Sequence, residues 1–120
     1  MRAHADVIRT LVDDFNQRSP IDIDRVFAPE FSLDQAGTGA SRSGLAGARA
    51  MTDALYALGH DVRLEILTLV EEGDYVAVRW QLTSNDPAQF RAASMSFYQF
   101  VDGLIVRDWG LLVQGGTWER

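Results

Sequence analysis

The chain has 120 residues, 47% of them hydrophobic and 23% charged, with a net charge of −6 and no cysteine. That length holds one domain, 1–120, and the missing cysteines exclude a disulfide framework and a thiol nucleophile. The basic residues are eleven arginines and no lysine, which removes P-loop, pyridoxal-phosphate and Schiff-base chemistry; with no basic stripe, nucleic-acid binding is not expected either.

Val7, Ile8, Leu11, Val12 and Phe15 recur at helical spacing and predict an amphipathic first helix, broken by Ser19-Pro20. Asp22 is placed to cap a short second helix through Phe27, ended by Pro29. Phe31 to Gln35 reads as a short strand, and residues 36–44, rich in glycine and serine, as a flexible loop. Ser43 is a candidate N-cap for a third helix with Leu45, Ala48, Met51, Leu55 and Leu58 on its buried stripe, and Gly59 follows its end. Strands are expected near 62–71, 75–84 and 90–101, with turns at Gly73-Asp74 and Asn85-Asp86-Pro87; Asp102-Gly103 leads into a last strand. Three helices around one early strand, followed by an antiparallel meander, give an α+β fold: helices on one face of a curved antiparallel sheet shaped as a cone.

The mouth of such a cone is a natural pocket. In the last strand Leu104, Val106, Asp108, Gly110 and Leu112 share one alternating face, so a lone carboxylate stands in an apolar stripe. If that face is inward, Asp108 must shift its pKa or find a partner; if the strand is flipped, it faces water. A two-residue turn at Gly73-Asp74 pairs Leu69 with Val78, Leu67 with Trp80 and Glu65 with Leu82, which would put Glu65 inside near Trp80; a three-residue turn would expose it. Ala92, Ser94, Ser96, Tyr98 and Phe100 form one face of the preceding strand, where small polar residues between aromatics suit a pocket wall. Alternation turns Phe31, Leu33 and Gln35 inward and Asp34 outward, and a bulge would exchange Asp34 and Gln35. Carboxylates converging on an apolar cavity would support general acid–base chemistry with no cofactor. His4 and His60 lack metal-ligand spacing, so no metal is expected.

The segments Val26-Phe-Ala-Pro-Glu-Phe, Gly44-Leu-Ala-Gly-Ala-Arg-Ala-Met, Glu72-Gly-Asp-Tyr-Val-Ala-Val-Arg-Trp and Phe100-Val-Asp-Gly-Leu-Ile-Val-Arg-Asp-Trp, in this order, resemble the SnoaL-like polyketide cyclase branch of the nuclear transport factor 2-like superfamily. The resemblance implies that cystatin-like cone and a homodimer. It places the ketosteroid isomerase base at Gln35, with Asp34 beside it, and the oxyanion-hole acid of those enzymes at Ser96; their helix-one tyrosine has no counterpart. The arginine and one aspartate of limonene-epoxide hydrolases fall at Ser94 and Ser96. Their other aspartate, like the cyclase acid, falls near Gly110, two residues from Asp108. Polyether cyclases pair acids at positions resembling Asp34 and Glu65. The expectation is a cytoplasmic, cofactor-independent enzyme of natural-product metabolism. It would act on an apolar oxygenated molecule by cyclisation, isomerisation or epoxide opening. Asp108, Glu65 and Asp34 would be catalytic, and Gln35, Trp80, Ser94, Ser96, Tyr98 and Tyr56 would bind substrate. The alternative is a non-catalytic binding or dimerisation domain of the same fold. No apolar run approaches the ~20 residues of a membrane span, and the N-terminus lacks a signal-peptide pattern.

Overall fold

Ile8, Val12 and Phe15, spaced as one helical face, are buried in helix α1 (His4–Asn16), as the periodicity requires. The computed structural model describes residues 3–36, 41–86 and 88–118. The other elements are α2 (Ile23–Val26), β1 (Phe27–Gln35), β2 (Ser41–Ser43), α3 (Gly44–Tyr56), β3 (Arg63–Glu72), β4 (Tyr75–Thr83), β5 (Arg91–Val101) and β6 (Leu104–Gln114). They build a curved, unclosed six-stranded sheet in the order β2-β1-β6-β5-β4-β3, with the helices and the main core on its concave side. No described helix is long and apolar enough to cross a membrane.

The meander β3 to β6 is antiparallel, as expected, but β1 runs parallel to β6, so the sheet is mixed. The chain leaves β1 and returns beside it only after α3 and three more strands, a crossover long enough for parallel pairing. β1 begins earlier than expected, at Phe27, and Pro29 lies inside it. Pro29 falls in the irregular stretch between the Phe27 and Ser32 pairings with β6, where a missing N–H breaks no ladder bond. The expected 36–44 loop contains β2, which pairs with Ser32 to Asp34 of β1; residues 37–40 lie outside the described residues. At the β5–β6 turn, Asp102 and Gly103 both have positive φ (53° and 80°), the twist a two-residue hairpin needs.

Two strands carry an extra residue. Leu67 is skipped between the Ile66–Trp80 and Thr68–Arg79 pairs, and Val106 between the Ile105–Phe100 and Arg107–Gln99 pairs. Each bulge bends the sheet and reverses inside and outside along its strand. Polar side chains clamp the helices over the resulting hollow. Glu71 Oε1 accepts the Ala5 N–H at 2.8 Å, satisfying one free donor at the start of α1. At the other end Asn16 donates to the Leu64 carbonyl (2.9 Å) and accepts its N–H (2.8 Å). The Arg18 guanidinium donates to the carbonyls of Gly59, His60 and Val62, tying the segment after α3 to α1. Ser43 and Asp22 stand at the N-cap positions but close no side-chain cap bond.

Phe31 is fully buried and meets Phe27 edge to face at 4.9 Å. Phe31→Ala is expected to cost about 3–5 kcal/mol in urea melts. Val70→Ala, at a residue 56% exposed, should change stability by no more than about 0.5 kcal/mol.

Candidate active site

Strand register determines what the hollow contains, because partners on adjacent strands point to the same face. Arg42, Leu33, Asp108, Tyr98 and Val76 are successive register partners from β2 to β4, and form one row across the concave face. The next row is Gln35, Gly110, Ser96 and Val78, and the one after it Leu112, Ser94 and Trp80. Apart from Val76 and Val78, these rows, with Leu11, Phe15, Met51 and Leu55 of the helices above, line a cavity of about 290 Å³. The exposed lining residues Arg42, Ala54 and Leu58 mark its mouth.

Asp108 is the one carboxylate among the described lining residues. It is 5% exposed, and its Oδ1 is buried with no hydrogen-bond partner among the described residues. Desolvation penalises the charged form, so the pKa rises from 3.8 to about 7. Gly110 leaves space over this carboxyl: a Cβ there would meet Asp108 Oδ1 only at 3.8 Å. Tyr98, the register partner of Asp108, is held well above the ordinary tyrosine pKa by burial and then by the Asp108 charge, while the Ser96 hydroxyl pulls the other way. Trp80 Nε1 donates to Ser96 Oγ at 3.2 Å, and the Trp80 ring meets Tyr98 edge to face at 6.3 Å. The cavity floor therefore holds a neutral acid, a neutral phenol and a hydroxyl anchored by an indole, in apolar surroundings. Such a set donates hydrogen bonds to oxygen and can hand over one proton near neutrality.

Of the residues singled out from sequence, Asp108, Gln35, Trp80, Ser94, Ser96 and Tyr98 come together around the cavity. Glu65, Asp34 and Tyr56 do not. The two-residue turn after β3 is correct, and Leu69 does pair with Val78, but the Leu67 bulge puts Leu64 and Ile66 inward and Glu65 outward, opposite Gln81. Asp34 is exposed and pairs with Trp109 and Ser41 on the outer face; no bulge exchanges it with Gln35. Tyr56 faces a separate depression with Arg18, Arg49 and Asp53. Its hydroxyl donates to the Ser19 carbonyl at 2.6 Å, and its ring lies 5.0 Å from that of Phe15. The inward face of β6 also differs upstream of Asp108: Ile105, not Leu104 or Val106, is fully buried, because of the Val106 bulge.

Arg42 was not legible as a cavity residue, since it lies in a glycine- and serine-rich stretch whose strand is three residues long. His4 stacks on Phe100 at 4.3 Å, away from the cavity. Among the described residues no three His, Cys, Asp or Glu side chains gather as metal ligands.

The raised pKa of Asp108 fixes a pH dependence of stability. Between about pH 4 and about pH 7 the folded protein keeps a proton that the unfolded chain releases, so stability falls as pH rises through that window. The shift from 3.8 to about 7 corresponds to roughly 4 kcal/mol. Asp108→Asn removes this slope. Denaturant melts of the two proteins should therefore shift in favour of the variant by about that amount between about pH 4 and pH 8. A difference that stays constant across this range would mean that Asp108 titrates normally.

Several solved structures share this architecture. IdmH of Streptomyces antibioticus, a candidate polyketide cyclase, superposes with a TM-score of 0.73 at 22% identity, over 92% of each chain. An NTF2-like protein of unknown function from Mesorhizobium loti gives 0.77 at 19% identity, over 92% of this chain and 90% of that one. A candidate ketosteroid isomerase from Kribbella flavida gives 0.74 at 21% identity, over 98% and 81%. At these identities the likeness establishes the fold. No curated protein sequence matches the chain. The family model for the SnoaL-like domain matches residues 8–108, most of the chain, and the protein belongs to that family.

Proposed function

We propose that this protein is a cofactor-independent enzyme that cyclises or isomerises an apolar, multiply oxygenated small molecule of polyketide type, with Asp108 as general acid. The observation that carries this reading is the isolated, buried Asp108 carboxyl, with a pKa raised to about 7, on the floor of an apolar cavity. A ketone oxygen seated over Gly110 would lie against the Asp108 carboxyl and the Tyr98 hydroxyl. An enol carbon of the same substrate attacks the ketone carbon. A carbon–carbon bond forms, the carbonyl π bond breaks, and the oxygen takes the Asp108 proton. The enol hydroxyl then becomes a carbonyl and returns its proton to the carboxylate. No redox partner is required, and the acid is regenerated. A pKa near the working pH suits a group that must both give and recover a proton. Ser96 and Trp80 hold Tyr98 in place, and Gln35 and Ser94 offer further polar contacts. The similarity of the fold to candidate polyketide cyclases agrees with this class. Epoxide opening by paired carboxylates is not favoured, because Asp34 and Glu65 lie outside the cavity.

The test is proton exchange at the enolisable carbon of an aryl 1,3-diketone in D2O, followed by NMR. Asp108→Asn should lose about 100-fold or more, while Glu65→Gln and Asp34→Asn keep wild-type rates. The wild-type rate should fall about tenfold per pH unit above about pH 7, as the acid form is lost. Full exchange by Asp108→Asn would overturn the role of Asp108, and a wild type no faster than the uncatalysed reaction would leave a binding domain as the better reading.

We also propose that the protein is a homodimer joined through the convex face of the sheet. Trp109, Phe97, Ala77 and Val70 form an outward row, with Met95, Leu111 and Tyr75 beside it. The Phe97 ring contacts Tyr75 at 5.4 Å and Trp109 at 5.8 Å. Asp34, Arg79 and Arg107 lie around this patch, so it has the apolar centre and charged rim of a protein interface. Sedimentation should show a dimer for the wild type and a folded monomer for Phe97→Glu.

A further inference from the structure

We infer that Arg42 makes the cavity selective for substrates that carry a carboxylate, held at the mouth while a ketone oxygen meets Asp108 on the floor. This rests on the proposed reading of Asp108 as the group that faces the reacting oxygen. Arg42 and Asp108 are the two charged side chains among the described lining residues. Both are register partners of Leu33, one on each side, so both lie on the concave face with a single strand between them. Strand spacing then sets their Cα atoms about 10 Å apart. The backbone of Arg42 is held against α3: a Cβ on Gly47 would come within 3.1 Å of the Arg42 carbonyl carbon and 3.2 Å of its Cβ. Glycine at 47 is what permits this close approach.

The electrostatic setting favours an external anion. Arg42 is exposed and forms no ion pair among the described residues, in a chain whose net charge is −6. The nearest acid in sequence on the paired strand, Asp34, is the partner of Ser41 and so lies on the opposite face. Asp108 cannot serve as the counter-charge below about pH 7, because its carboxyl is neutral there. A planar guanidinium at the rim of an apolar cavity, with no ion-pair partner among the described residues, matches a carboxylate by paired hydrogen bonds. The cavity between is lined by Leu33, Leu64, Leu82 and Leu112, which leaves the middle of the ligand apolar. The substrate class is thus an aryl or alicyclic keto acid, with the acid group and the reactive ketone at opposite ends.

The experiment compares 6-acetyl-2-naphthoic acid with its methyl ester by titration calorimetry at about pH 6, where the ligand acid is ionised and Asp108 protonated. Wild type is expected to bind the acid about tenfold tighter than the ester. Arg42→Gln should bind both with the affinity of the wild type for the ester, which also reports an intact cavity. Arg42→Lys, keeping the charge but losing the planar fork, should retain part of the preference. Equal binding of acid and ester by the wild type, or a preference that survives Arg42→Gln, overturns the inference. Either result leaves the Asp108 reading standing, because that reading is decided by loss of proton exchange in Asp108→Asn on a neutral diketone.

Discussion

Side chains alternate along a strand, so one extra residue in a paired strand reverses the face of everything beyond it. The cavity depends on this constraint at two places. Val106 lets Ile105 fill the core beside Phe27 and Phe100 and still turns Asp108 inward three residues later. Leu67 lets Val78 and Leu69 share the concave face at one end of the hairpin while Leu64 and Leu82 share it at the other. Without the first bulge, either Ile105 or Asp108 would have to leave the interior. Without the second, Glu65 would enter the cavity in place of Leu64. The same two bulges bend the sheet over the helices, so the curvature that creates the hollow and the parity that selects its contents have one cause.

That selection decides the electrostatics. A carboxylate in a low-dielectric site is stabilised by a cation, by hydrogen-bond donors, or not at all. Here Leu33 and Tyr98 flank Asp108 in its row, and Arg42 is a full strand further away. Burial is therefore the cause of the Asp108 shift, and no opposing attraction offsets it. An inward Glu65 would have added a second acid near Trp80, and two such groups titrate as a coupled pair with separated pKa values. A lone acid instead titrates near neutrality by desolvation alone, and an apolar ligand that displaces water would push it further toward the protonated form.

Much of this was legible in the sequence. Turn residues and periodicity located the helices and the meander, because Asp-Gly and Gly-Asp turns and apolar spacing are local signals. Ser94, Ser96 and Tyr98 were readable because β5 is regular from Arg91 to Gln99, so alternation holds along it. Gln35 and Asp34 also obeyed simple alternation. Glu65 failed for a physical reason. The turn and the first pairs were right, but a bulge at a leucine among leucines leaves no mark in composition. Arg42 failed because a strand of three residues is too short to show a period, and its place in the sheet comes from pairing with β1. The parallel β1–β6 contact was invisible for the same reason: it joins segments far apart in the chain.

The arrangement also explains why a fold this widely shared says little about chemistry by itself. The rows across the concave face are fixed by backbone pairing, but each position in a row can hold a different side chain at little cost to the sheet. In this chain Ser94, Ser96 and Gly110 fill the rows beside Asp108, and none of them carries a charge. Uncharged residues at these positions leave burial to set the protonation of Asp108. They leave space above its carboxyl and keep the surroundings apolar, so the acid exchanges its proton close to pH 7.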